Sequence, residues 1–181
     1  MVMGLAEKYP VRYRVEDYER WQGDWELVEG VPYAMASPSP INQKLLVKLS
    51  RLMDEVLELK ACQDCHVFVE LDWYVSVDTV IRPDLLVFCG EIPQKLTQRP
   101  HMVVEIVSPS TKTIDEGLKF ELCQREGVPY FVLLYPEEGK VLVYELCGGV
   151  YRQKEDKSFR FLNCIVDVDF ESTFGGLKYA D

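Results

Sequence analysis

The chain has 181 residues, 48% hydrophobic and 28% charged, with a formal net charge of −10. That length and balance describe one globular domain able to bury its own core, and they exclude an intrinsically disordered chain. The acidic charge argues against broad adhesion to nucleic acid, which phosphate neutralisation drives; it leaves room for a local basic groove and suits a site that gathers carboxylates around a cation.

Met1 to Pro10 lack the basic-then-apolar order of a secretory signal, and no apolar run is long enough to span a bilayer. The expected compartment is therefore the cytoplasm, with no membrane partner. Val15 to Trp21 reads as a short helix. Trp25 to Val28 and Tyr33 to Met35 read as strands around a Glu29-Gly30 turn. Ser37-Pro38-Ser39-Pro40 interrupts the chain, with Ser39 suited to a helix N-cap and Pro40 to the first helical position. From about Ile41 to Leu59, Leu45, Leu49, Leu52, Val56 and Leu59 recur at alternating spacings of four and three, which predicts a core-facing helix. A dimer seam is the alternative use of such a stripe.

Three strands are expected next, at Val67 to Val75, Ile81 to Phe88 and Met102 to Val107. The last, MVVEIV, has the near-continuous apolar character of a central strand. A second helix is expected from about Thr113 to Glu126, capped by Ser110 or Thr111 and ended by Gly127 and Pro129. Tyr130 to Tyr135 is another apolar strand. Lys140 to Leu146 and Val150 to Gln153 form a hairpin about Gly148-Gly149, and a last strand is expected near Ile165 to Phe170. This order predicts an α/β fold with helices flanking a mixed central sheet. Cys62-x-x-Cys65 lacks a second ligand pair at zinc-site spacing, and the six cysteines are expected to be reduced thiols.

Glu105 is the only charge in its apolar strand, and an ionised carboxylate buried there needs a paired charge or a bound cation. It can be a strand-end residue paired with an arginine such as Arg82. Asp84, after Pro83 at the head of another apolar strand, suggests more: if the two strands are neighbours, the carboxylates converge. Converging carboxylates raise each other's pKa unless a metal is bound, and hard oxygen donors suit Mg2+ or Mn2+.

These residues sit in a recognisable order. Arg82-Pro83-Asp84, Glu105-Ile106-Val107, Ser108-Pro109-Ser110-Thr111, Asp115, Lys119 and Gly127-Val128 resemble the Uma2-like (DUF820) branch of the PD-(D/E)XK nucleases. Trp25 to Gly30 and Ser37-Pro38-Ser39 extend the resemblance, which runs from about Tyr13 to Tyr151 within a single domain spanning 1–181. It implies a restriction-endonuclease-like core with an added N-terminal hairpin and C-terminal strands. It further implies that Asp84, Glu105 and the Ile106 carbonyl ligate metal, and that Glu26 completes the shell. The superfamily's basic residue normally stands where this chain has Val107, and the resemblance moves its role to Lys119. Glu26 can equally be a solvent-facing strand residue, Glu70 is a weaker acidic candidate, and Lys119 can equally be a surface partner of Asp115 at i,i+4. Asn42 stands where relatives carry a histidine, and cannot act as a general base.

The resemblance implies Mg2+- or Mn2+-dependent phosphodiester hydrolysis with nucleic acid, DNA first, as substrate. Asp84 and Glu105 would hold the ion, Lys119 would orient water or offset charge, and Lys112, Arg82 and Arg99 would contact phosphates. A homodimer would suit duplex cleavage. Val107 and the acidic surface leave open a non-catalytic binding or assembly protein on the same fold. A hydrolase of another phosphoester, needing a compact pocket rather than a duplex-sized groove, is a third reading.

Overall fold

A computed structural model describes residues 4–177. Short helices α1 (Leu5–Lys8) and α2 (Val15–Tyr18) precede a hairpin of β1 (Trp25–Val28) and β2 (Val31–Ala34). Its turn places both Glu29 (φ 49°) and Gly30 (φ 77°) in the left-handed region, the combination that matches strand twist in a tight hairpin. Helix α3 (Pro40–Leu59) starts as its residues direct, with the Ser39 side chain accepting from the Asn42 N–H. Ser39→Ala is expected to cost about 1 kcal/mol, read as a lower urea midpoint with an unchanged slope.

The remaining elements are β3 (Cys65–Val69), β4 (Trp73–Ser76), β5 (Thr79–Ile81), β6 (Leu85–Cys89), β7 (Met102–Ile106), a π-helical turn over Ile114–Lys119, α4 (Phe120–Arg125), β8 (Tyr130–Tyr135), β9 (Lys140–Cys147), β10 (Val150–Gln153), β11 (Ser158–Phe161), β12 (Cys164–Asp167) and a 3-10 turn over Phe170–Phe174. The central sheet runs β10-β9-β8-β7-β6-β3. Only β7 and β8 are parallel, so it is mixed as expected. A second sheet, β2-β1-β5-β4, carries the N-terminal hairpin.

Two expected strands are each divided. The span Val67 to Val75 reverses at Glu70, whose φ is 48°, so that β3 and β4 enter different sheets. The span Ile81 to Phe88 breaks at Arg82-Pro83-Asp84, where Pro83 has no N–H for a ladder, and the chain crosses from the second sheet to the central one. The tail strand ends at Asp167 and pairs with β11, a strand absent from the sequence reading.

Each face of the central sheet has its own core. Leu45, Leu49, Met53 and Leu57 of α3 and Phe159 and Phe161 of β11 cover Leu85, Val87, Met102 and Val104. Leu122 and Cys123 of α4, with Tyr151, cover Leu86, Val103, Phe131 and Leu133. Leu45 and Leu49 of the α3 stripe are thus core residues, with Leu52 and Val56 partly buried beside them, while Leu59 at its end is 76% exposed. Strand alternation then puts Glu105 on the α4 side of β7, between the buried Val103 and Val107.

The cysteine expectation is corrected. Cys62 is joined to Cys164 and Cys65 to Cys89, while Cys123 and Cys147 are free thiols. Cys65 and Cys89 are cross-strand partners in β3 and β6, and Cys62, just past α3, meets β12 from 102 residues away. Neither pairing follows from spacing, because one joins paired strands and the other a post-helix turn to a distant strand, and these segments meet only in the tertiary fold.

Candidate active site

Five ionisable side chains meet at one end of the central sheet, two of them, Asp115 and Lys119, from the same turn. Because β6 and β7 pair antiparallel, with Leu85 opposite Val104, Asp84 at the head of β6 lies beside Glu105 near the end of β7. The Asp84 N–H donates to Glu105 Oε2 at 3.4 Å, and the Ile106 N–H donates to Asp84 Oδ2 at 2.6 Å. Glu26 arrives from β1 of the second sheet, with the Arg82 N–H donating to its Oε1 at 2.7 Å. The Arg82-Pro83-Asp84 crossing that divides the expected strand therefore fastens the two sheets together at this site.

Lys119 closes the group. Its Nζ lies 3.0 Å from Glu26 Oε1, 3.1 Å from Glu105 Oε1 and 3.7 Å from Asp115 Oδ1, and it donates to the Arg82 carbonyl at 3.4 Å. Glu26, Glu105, Asp115 and Lys119 are all at most 4% exposed. The surface readings of Glu26 and Lys119 are thereby overturned, since both face inward. The wide turn over Ile114–Lys119 carries Asp115 and Lys119 on its inner side, and such insertions often mark functional segments. Asp115 entered the sequence reading only as part of the family pattern and as a helix-surface partner for Lys119. An i,i+4 acid and base look the same in sequence whether they face water or the core.

Burial raises the carboxyls of Glu105 and Asp84, with Lys119 opposing the rise. Burial lifts Asp115 to about 6, again against Lys119. For Lys119 burial works against the charge, but Glu105, Glu26, Asp115 and Asp84 outweigh it and hold the ammonium protonated well above its usual range. The ammonium is the resident counter-cation of this cluster. Asp115 keeps its proton in the folded state up to about pH 6 and releases it near 3.8 when unfolded. Its contribution to stability therefore falls as pH rises from about 4 through 6, by about 3 kcal/mol. Asp115→Asn is expected to flatten that part of a urea-midpoint profile. A profile identical in the native chain and the variant would contradict it.

Among the described residues, no three acidic, histidine or cysteine side chains form a ready-made cation shell. The donor chemistry nevertheless fits a hard divalent ion: the carboxylates of Asp84 and Glu105 line one cleft, and they offer hard oxygen donors there, Glu105 Oε1 being held meanwhile by the Lys119 ammonium at 3.1 Å.

The cleft above these residues has a volume of about 470 Å³. Ser37 to Ser39 and the first turn of α3 border it on one side, and Ser108 to Thr111 on the other. Glu70 is an exposed residue of its lining, held by Gln43 Nε2 at 3.4 Å. Asn42 also lines it, in a structural role through the Ser39 cap. Three expected phosphate contacts lie elsewhere. Arg82 binds Asp72 at 2.7 Å and Asp24 at 2.8 Å in a separate pocket, Arg99 packs against Gly127, and Lys112 lies 4.0 Å from Glu116. His101 Nδ1 accepts from the Cys89 N–H and takes no part in the cleft.

The Uma2 family profile, described as "Putative restriction endonuclease", matches residues 15–164. The chain belongs to the Uma2 family. A Synechocystis relative, "Uncharacterized protein slr1290", is 32% identical over 172 residues, covering 91% of this chain and 87% of the relative. The Uma2 architecture recurs in the crystal structure of "a putative nuclease belonging to DUF820" from Anabaena variabilis. That match has a TM-score of 0.67 and 18% identity, over 80% of this chain and 86% of the other. It bears out the restriction-endonuclease-like fold.

Proposed function

We propose that this Uma2 chain is a divalent-cation-dependent endonuclease that hydrolyses phosphodiester bonds, DNA being the first substrate to test. The observation that carries the reading is the convergence of Glu26, Glu105 and Asp115 on Lys119, with Asp84 beside Glu105, at the floor of one cleft. Mg2+ or Mn2+ would be held by Asp84 and Glu105, with the Ile106 carbonyl and Glu26 as further donors, and would supply an activated water and charge stabilisation at phosphorus. The chain's own residues prepare for this. The Ile106 N–H orients Asp84, and the Arg82 N–H orients Glu26. Lys119 keeps its proton and presents a positive charge where negative charge develops on the phosphate. Each of these residues belongs to a single copy of the chain, so the reading does not require a dimer.

One observation favours the non-catalytic alternative: Val107, at the usual position of the basic residue, is buried in an apolar cluster and can neither hold water nor carry charge. The two readings separate in one experiment. Purified protein is incubated with plasmid and with single-stranded DNA in Mg2+, Mn2+ and EDTA, beside an Asp84→Ala/Glu105→Ala double variant. The expected result is metal-dependent cleavage that the variant lacks. Absence of cleavage by the folded native chain would select the binding or assembly reading, and cleavage that survives in the variant would remove both carboxylates from the mechanism.

A further inference from the structure

The cleft also bears on which form of nucleic acid can reach the carboxylates; the argument rests on the nuclease reading above. At about 470 Å³ the cleft falls in the size class of pockets that enclose small molecules, roughly 300–1,000 Å³. Glu105 and Lys119 lie on its floor at 1% and 4% exposure, so a reacting phosphate has to enter it rather than lie across its mouth.

The charge of the lining adds a second constraint. Six carboxylates, Glu26, Glu70, Asp84, Glu105, Asp115 and Glu137, face one cation, Lys119, with no arginine or histidine in the wall. Duplex DNA carries one negative charge per about 1.7 Å of axis and a single strand one per about 3.4 Å. This wall offers almost no phosphate neutralisation, so it penalises the denser charge more.

What the wall does offer is uncharged. Ser108 Oγ lies 3.0 Å from Ser110 Oγ and 3.1 Å from Thr111 Oγ1, forming a hydroxyl rim of the kind that contacts sugar and phosphate oxygens. Across the cleft, Tyr33, Met35 and Pro38 present apolar surface. Aromatic and apolar surfaces of this kind bind the faces of unstacked bases, faces that a duplex keeps within its own stack.

We propose that the cleft takes unpaired DNA, as a single strand or overhang, in preference to duplex, with the half-buried Tyr33 as a stacking surface. The test is fluorescence anisotropy of the full chain with a short labelled single strand and with the same strand in a duplex, in Ca2+ so that binding is read without turnover. Binding to the single strand is expected to be tighter by at least about tenfold. Tyr33→Ala is expected to weaken it about fivefold or more, and Tyr33→Phe to retain it. Equal or tighter duplex binding would overturn the proposal, as would failure to bind either form, and an unchanged Tyr33→Ala would overturn the stacking role. Single-strand preference without hydrolysis in Mg2+ would uphold this inference while removing the nuclease reading. Hydrolysis with duplex preference would do the reverse.

Discussion

Lys119→Met is expected to destabilise the protein by about 3–5 kcal/mol at neutral pH and to abolish hydrolysis. The destabilisation follows from burial. Removing the ammonium leaves Glu26, Glu105 and Asp115 with almost no contact with water and without the cation that lies 3.0 to 3.7 Å from them. Breaking a buried ion pair from one side typically costs that much, because the stranded charges keep their desolvation penalty. Two further results separate this account from simple loss of packing. The deficit should shrink as pH falls through about 6, where Asp115 regains its proton, with the raised Glu105 carboxyl acting in the same direction. Mg2+ should also restore part of it, because a divalent ion can replace the missing charge. Urea unfolding at two pH values, with and without Mg2+, measures both. A deficit that ignores pH and cation alike would mean that the ammonium's charge is not what holds the carboxylates in place.

Glu105→Gln is expected to do nearly the opposite. Stability at neutral pH should hold or rise, while hydrolysis falls by more than about 10²-fold. The amide keeps the shape and can turn its one oxygen to the Lys119 ammonium at 3.1 Å, giving up only the long 3.4 Å contact from the Asp84 N–H, and it removes one negative charge from a group in which four carboxylates surround one ammonium. Loss of an outer-shell partner alone typically costs 10- to 100-fold in metal affinity or activity, and loss of a direct donor should exceed that. Thermal melts should show a Mg2+-dependent rise in Tm for the native chain and little or none for the variant. A variant that keeps both the rise and the cleavage would exclude Glu105 as a donor. Together, Lys119→Met and Glu105→Gln distinguish a cluster arranged for chemistry from one kept for stability, since only the first predicts a stable but inactive protein.

Several features were written locally in the chain. The spacing of Leu45, Leu49 and Leu52 dictated which side of α3 turns inward, and Ser39-Pro40 dictated where it starts, because caps and apolar periodicity act within one or two turns. The apolar run around Glu105 marked a central strand and made its charge conspicuous. Asp84 and Glu105 were legible as a pair because two neighbouring apolar strands bring their ends together. Glu26 and Lys119 were legible through the family pattern, while their physical surroundings were not: nothing in Trp25 to Val28 says that Glu26 faces a second sheet rather than water.

What only the tertiary structure decided is long-range in origin. The crossing at Arg82-Pro83-Asp84 carries the chain between sheets and turns one expected strand into two. Asp115 and Lys119 became a buried pair because the turn that carries them packs against β1 and β7, a fact with no trace in their i,i+4 spacing. Cys65 met Cys89 through the pairing of β3 with β6, and Cys62 met Cys164 where the end of α3 comes up against β12, neither of which spacing encodes. Periodicity, caps and turns are properties of neighbours along the chain. Burial of a charge depends on which distant segment covers it, and only the assembled sheets supply that.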